Sequence, residues 1–412
     1  MWQTTINNKV LLFIILTILF SGNSVLMADD TVMPVATITQ NTFIPPEPKI
    51  NAKAYILIDA NSSKVLVAKN ADLRLPPASL TKVMSIYLIS KALQNGAINW
   101  NDQVRISKKA WQAEGSRMFI KVNDLVSVKD LISGIITASG NDATIAMAEY
   151  LASSEDAFTD MLNQEAQQLG MTNSHFTDST GLPNPEHYAT SRDLARLTQA
   201  YILQFPDYYP LFADKWFTYN HIKQPNRNRL LWRYPYAEGL KTGHTTDAGF
   251  CLIGTANKNG MRLISVIMGA DSDEARTEAS IQLLNYGFRF YHTIKLYQSY
   301  QEISQAKIWH GSSDKVALGI TQDLYVTLPN AQQAKNLQIK FDLPENLIAP
   351  IKAKQICGNI TILSNNEIIA TAPLVALTEV AAGSWWRNLC NGIGYYLSQL
   401  WSSNKTNMQN NQ

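Results

Sequence analysis

Residues 79–96 read SLTKVMSIYLISKALQNG. From Ser79 to Leu93 the apolar residues recur at helical spacing, and Asn95-Gly96 supplies the turn chemistry that ends a helix. Ser79 and Lys82 fall in its first turn, three positions apart and therefore on one face, where an amine can reach a hydroxyl. The flanks of this helix are of another kind. Upstream, AYILID (54–59) and KVLVA (64–68) are β-rich runs joined by Asn61, Ser62 and Ser63, a hairpin signal. Downstream, FCLIGTA (250–256) and MRLISVIM (261–268) flank Asn259-Gly260, the strongest short hairpin signal, and a helical run over 273–291 follows. Helical periodicity dominates residues 125–200 in between. Strands at both ends of a segment with helices inside it imply a mixed α+β domain over 50–291, an antiparallel sheet assembled from both chain ends with a helical cluster against it.

Beyond that domain the texture changes. Short alternating stretches (VALGI, LYVTLP, LQIKFDL, ITIL, IIATAPLVAL) separated by prolines and asparagines predict a small β-sandwich over 292–380. At the front, VLLFIILTILF (10–20) follows Lys9 and precedes small and polar residues, the layout of a secretory signal over 1–28 with cleavage after Ala28. Residues 29–49, with Pro34, Pro45, Pro46 and Pro48, read as a linker. At the back, SWWRNLCNGIGYYLSQLW (384–401) places its Trp, Tyr and Leu residues mostly on one side of a helix, an amphipathic anchor suited to the membrane surface and too polar to span it.

The composition excludes other classes. With 46% hydrophobic and 17% charged residues in 412, the chain is neither disordered nor a polytopic membrane protein. Its 35 basic side chains balance 33 acidic ones without any block of like charge, so no nucleic-acid partner is expected. Cys251, Cys357 and Cys390 are too few and too scattered for a disulfide framework or a zinc site. Three unpaired thiols are expected, a Cys251–Cys357 bridge being the alternative, and neither a metal nor a cofactor is called for.

Three short motifs carry chemistry. Ser79-Leu80-Thr81-Lys82 opens a helix, where backbone N–H groups point outward at an anion. Ser139-Gly140-Asn141 lies between two helical runs, and Lys241-Thr242-Gly243 precedes the strand pair around Asn259-Gly260. Each alone is an ordinary polar turn; S-x-x-K recurs at Ser304–Lys307, Ser312–Lys315 and Ser402–Lys405. All three in this order and setting are the motif set of penicillin-binding proteins and class A β-lactamases. No G-x-S-x-G elbow occurs, and the six histidines suggest no triad.

On SLTK, SGNDA (139–143), NRNRLLW (226–232), GLKTGHT (239–245) and GFRFY (287–291), the chain resembles the low-molecular-mass penicillin-binding proteins, serine-type D-alanyl-D-alanine carboxypeptidases, over essentially its whole mature length. The resemblance implies Ser79 as nucleophile, Lys82 as its base and Ser139 as proton relay to the leaving group. It further implies Asn141 as a donor to the substrate amide and Lys241 as a positive charge that keeps Lys82 neutral. Thr242, Gly243 and His244 would meet the substrate, with the backbone N–H groups of Ser79 and His244 as oxyanion hole and the following strand pairing with the peptide. Arg227 and Arg276 match arginines near the carboxylate end, with surface ion pairs as the alternative. The implied partners are peptidoglycan stem peptides ending in D-Ala-D-Ala, β-lactams as covalent inhibitors, and the periplasmic face of the bacterial inner membrane. A DD-endopeptidase, a β-lactamase and a non-catalytic sensor share these motifs; Thr180–Pro183 lacks the carboxylate that a class A lactamase needs for deacylation.

Overall fold

The computed structural model describes residues 44–332 and 334–384; the segments expected as a signal and as a terminal helix, and most of the expected linker, lie outside them. Five antiparallel strands form the central sheet: β1 (Ala52–Asp59), β2 (Val65–Lys69), β3 (Ala237–Thr245), β4 (Gly249–Lys258) and β5 (Met261–Ala270), in the order β2-β1-β5-β4-β3. β1 and β5, from opposite ends of the domain, pair with Tyr55 opposite Ile267 and Leu57 opposite Ser265. Ile56, Ile58, Ile253 and Val266 face a helical cluster, while Leu57, Leu263 and Ile267 face the last helix of the domain. Because both faces are covered, β5 reads as a continuous apolar run and not an alternating one.

The helix announced by residues 79–96 is α1 (Lys82–Gln94), buried continuously from Lys82 to Ser90, as befits a helix apolar on all sides. It is surrounded by α2 (Asn141–Ala152), α3 (Glu155–Gln168) and α4 (Ser191–Gln204), and α5 (Asp273–Phe290) packs on the opposite face of the sheet. Ser79 itself lies in a 3-10 turn, Ala78–Thr81, that precedes α1.

Two expectations change, and one alternative falls. The Lys241-Thr242-Gly243 run precedes the β4–β5 pair as expected but is itself part of a strand, the edge strand β3, so the backbone free to pair with a ligand is that of the motif and not of the strand after it. Residues 44–49 are not a free tether where they are described: Ile44 packs against the α5 cluster and the Tyr286 hydroxyl donates to the Pro45 carbonyl at 3.0 Å. Cys251 and Cys357 are both buried free thiols, which removes the bridge between them.

After α5 the chain enters strand Tyr291–Tyr297 directly, paired with Leu324–Pro329 and packed against a six-stranded sheet through Ile308, Leu318, Ile360 and Leu374. This β domain is tied to the first by hydroxyls: Thr293 donates to the Asp59 carboxylate at 2.7 Å, and Ser62 and Thr327 lie 2.6 Å apart. Among the described residues no helix is long and apolar enough to cross a membrane, and no cluster of side chains could hold a metal ion.

Candidate active site

The turn carrying Ser79 is wedged between β3 and the loop after α3. Gly243 passes so close that a Cβ there would lie 2.8 Å from the Pro77 carbonyl, and Gly181, at φ +90°, leaves no room for one against the Ala78 carbonyl. These two glycines let three segments converge on one hydroxyl. Ser79 is half-buried, and the Lys82 amine donates to its Oγ at 2.8 Å and to the Thr180 carbonyl at 2.7 Å. Lys82 is completely enclosed, and burial pulls its ammonium down to about 7 against the Asp178, Asp142 and Glu155 carboxylates, with Arg227 pushing the same way as burial.

A second serine–lysine pair faces the first. Lys241 on β3 donates to Ser139 Oγ at 2.8 Å and to the Thr242 carbonyl at 3.0 Å. Ser139 closes a π-helical turn, Gly134–Ala138, in the left-handed conformation at φ 59°, which turns its side chain toward β3 at a backbone cost of about 1–2 kcal/mol. Burial, then the Lys82, Arg227 and Arg276 cations, hold Lys241 well below the usual ammonium range. The charge expected on Lys241 is therefore opposed by its protein surroundings, and an anionic ligand would favour it.

Ser79, Ser139, Thr242, Gly243, His244, Arg227 and Arg276 line one cleft of about 160 Å3, with Ser116 as an unforeseen eighth member. Lys82, Lys241 and Asn141 are buried behind it. Ser116 comes from a loop without periodicity or motif, and nothing local marks it; Asp142, inside the quoted SGNDA, does mark that loop, because its carboxylate accepts from the N–H groups of Met118 and Phe119, both at 2.9 Å. Asn141 differs from its expected role. Its Nδ2 is committed to the Glu114 carbonyl at 2.6 Å, which can only accept, so its unpartnered Oδ1 is an acceptor and not a donor. Arg276 is buried, donating to the carbonyls of Gly243 at 2.9 Å and Cys251 at 3.1 Å and pairing with Asp273, so it braces β3 as well as facing the cleft. Arg227 is exposed and has no ion pair or hydrogen bond among the described residues, which sets aside the surface-pair alternative for it.

A histidine–carboxylate pair also exists, unseen in the sequence. His187 lies with Nε2 2.9 Å from Thr81 Oγ1 and Nδ1 3.4 Å from Asp178. Thr81 is fully buried and already donates to the Ala78 carbonyl, so no nucleophile is presented there. Although burial opposes its charge, hydrogen bonds from His187 and Thr180 hold the Asp178 carboxyl well below the usual carboxylate range. The carboxylate accepts from the N–H groups of Thr180 and Gly181, both at 2.7 Å, and so fixes the carbonyl that receives Lys82.

This constellation on this fold defines a serine-type peptidase of the S-x-x-K kind. A family model described as D-alanyl-D-alanine carboxypeptidase matches residues 41–272, and one described as the C-terminal domain of penicillin-binding protein 5 matches 291–382. The chain belongs to the D-alanyl-D-alanine carboxypeptidase family. It is 39% identical to D-alanyl-D-alanine carboxypeptidase DacA of Escherichia coli over 85% of this chain and 89% of that one. Penicillin-binding protein 5 from Haemophilus influenzae superposes with a TM-score of 0.76 at 38% identity, covering 82% of this chain and 99% of that one. Penicillin-binding protein D2 from Listeria monocytogenes, solved in its ampicillin-bound form, matches 59% of this chain and 100% of its own at 29% identity and a TM-score of 0.55. The protein is thus a serine-type, penicillin-binding D-alanyl-D-alanine carboxypeptidase of the bacterial cell-wall machinery.

Proposed function

We propose that the enzyme removes the terminal D-alanine from peptidoglycan pentapeptides through an acyl-enzyme on Ser79. The carrying observation is the fully enclosed Lys82 amine, 2.8 Å from Ser79 Oγ, which among the described residues is the one serine hydroxyl both in the cleft and hydrogen-bonded to it. An amine held near 7 is a competent base at neutral pH and takes the Ser79 proton as Oγ attacks the penultimate carbonyl. The backbone N–H groups of Ser79 and His244 receive the oxyanion. Ser139, bonded to Lys241, passes a proton to the departing D-alanine amine; its carboxylate is met by Thr242 and the unpaired Arg227. Asn141 Oδ1 accepts from a substrate amide N–H, and the free edge of β3 extends the sheet with the peptide backbone. β-Lactams acylate the same Ser79 as substrate mimics. Among the described residues no carboxylate lines the cleft, Asp178 being tied to its own loop, which favours a slow-deacylating peptidase over a class A lactamase.

The enzyme is exported by residues 1–28 and works at the periplasmic face of the inner membrane, held peripherally by residues 384–401. The test is incubation of the purified protein with a pentapeptide ending in D-Ala-D-Ala and assay of free D-alanine. Ser79→Ala should abolish both D-alanine release and covalent penicillin labelling; a labelled Ser79→Ala protein would mean that another serine carries the acyl group, and labelling without turnover by the wild type would favour a sensor.

A further inference from the structure

A larger cavity, about 670 Å3, adjoins the Ser79 cleft and shares Arg227, His244 and Arg276 with it. It lies past the C-terminal end of the Lys241–Gly243 run, where the His244 and Phe250 rings meet at a tilt of 31° with centroids 4.0 Å apart. Trp216 and Trp232 also line it. They meet edge-to-face at 6.3 Å and 84°, yet remain 52% and 42% exposed. Each indole also meets an ammonium: Lys223 sits over Trp216 at 4.7 Å and Lys215 over Trp232 at 6.0 Å. The rim carries both signs of charge, Arg229 pairing with Asp273 at 2.6 Å and Arg233 with Glu274 at 2.5 Å. Aromatic walls and a polar rim in which four arginines outnumber the one lining carboxylate fit an aliphatic chain that ends in a polar, uncharged group, and the volume is in the range of small-ligand sites.

We propose that this cavity is a leaving-group subsite, which admits departing D-amino acids with a long aliphatic side chain ending in an uncharged amide, in addition to D-alanine. The inference rests on the carboxypeptidase reading, in which the departing residue's carboxylate sits at Arg227. The carbon that bears this carboxylate also bears the side chain, so the side chain starts at the wall shared by the two cavities. A methyl group leaves the larger cavity unfilled; a lysine-length chain extends into it. The chemistry is unchanged: the Ser79 Oγ–acyl bond forms as the amide C–N bond breaks, the serine proton ends on the departing amine, and water later hydrolyses the ester. Only the amine that leaves is different.

The test uses the full-length protein and two peptides alike except for the last residue, D-alanine in one and Nε-acetyl-D-lysine in the other. Wild-type enzyme should release both. Trp216→Ala/Trp232→Ala should lose about tenfold or more in kcat/KM on the long residue, the range by which an apolar pocket discriminates, with D-alanine release and penicillin labelling unchanged. Where the double variant fails to label, Trp216→Ala alone, on an exposed hairpin, gives the same comparison. Loss on both substrates alike, or on neither, overturns the subsite. Wild type that frees D-alanine but leaves the long residue in place overturns the subsite and spares the carboxypeptidase reading; wild type that frees neither overturns both.

Discussion

Replacing Lys82 by methionine should abolish acylation and, at neutral pH, make the protein more stable. The amine is fully enclosed and held at about 7 instead of the ordinary 10.5. In that window the unfolded chain holds a proton that the folded chain does not, so stability rises as pH climbs from about 7 to 10.5, and below about 7 the full cost of the buried amine persists. At about 1.4 kcal/mol per pH unit the cost is about 5 kcal/mol at pH 7. Methionine, similar in size and apolar, removes it, but leaves the Thr180 carbonyl without the bond Lys82 gave it, a loss of about 1–3 kcal/mol. The net gain expected at pH 7 is about 2–4 kcal/mol. Urea unfolding of both proteins at pH 7 and pH 10 reads it directly, since every other titrating group is common to the pair. The advantage should shrink by about 4 kcal/mol at the higher pH as the unfolded lysine sheds its proton. A methionine variant destabilised equally at both pH values would refute a depressed Lys82 and, with it, the base.

The same amine sets the rate: penicillin acylation by the wild type should fall about tenfold per unit below pH 7, and Lys82→Arg, which cannot shed its proton, should acylate negligibly at any pH up to 9 in stopped-flow labelling. Asp142→Ala leaves the N–H groups of Met118 and Phe119 unpaired, and should cost about 2–4 kcal/mol in urea unfolding while slowing acylation through the loop that carries Ser116. Removal of residues 384–412 should move the protein to the soluble fraction of fractionated cells with D-alanine release unchanged, and alkali should extract part of the full-length protein, because interfacial binding is reversible; a truncated protein that stays with membranes would contradict the anchor.

What sequence alone determined is local. Helical spacing put Ser79 and Lys82 on one face, Asn259-Gly260 marked the β4–β5 hairpin, and the paired strands at both ends of the domain implied their common sheet; each rests on residues a few positions apart, which periodicity and turn chemistry encode directly. The motif order then named the family. What the tertiary structure decided is everything that depends on distant partners. The Thr180 carbonyl under Lys82, the Asp142 brace behind Ser116, and the Asp178–His187–Thr81 contact join segments with no common pattern. Asn141 became an acceptor because the Glu114 carbonyl claims its amide nitrogen, and the charge assumed on Lys241 is opposed because β3 buries it among other cations. The identity of a side chain fixes which charges and hydrogen bonds it can have, whereas burial and distant neighbours fix which of them it keeps.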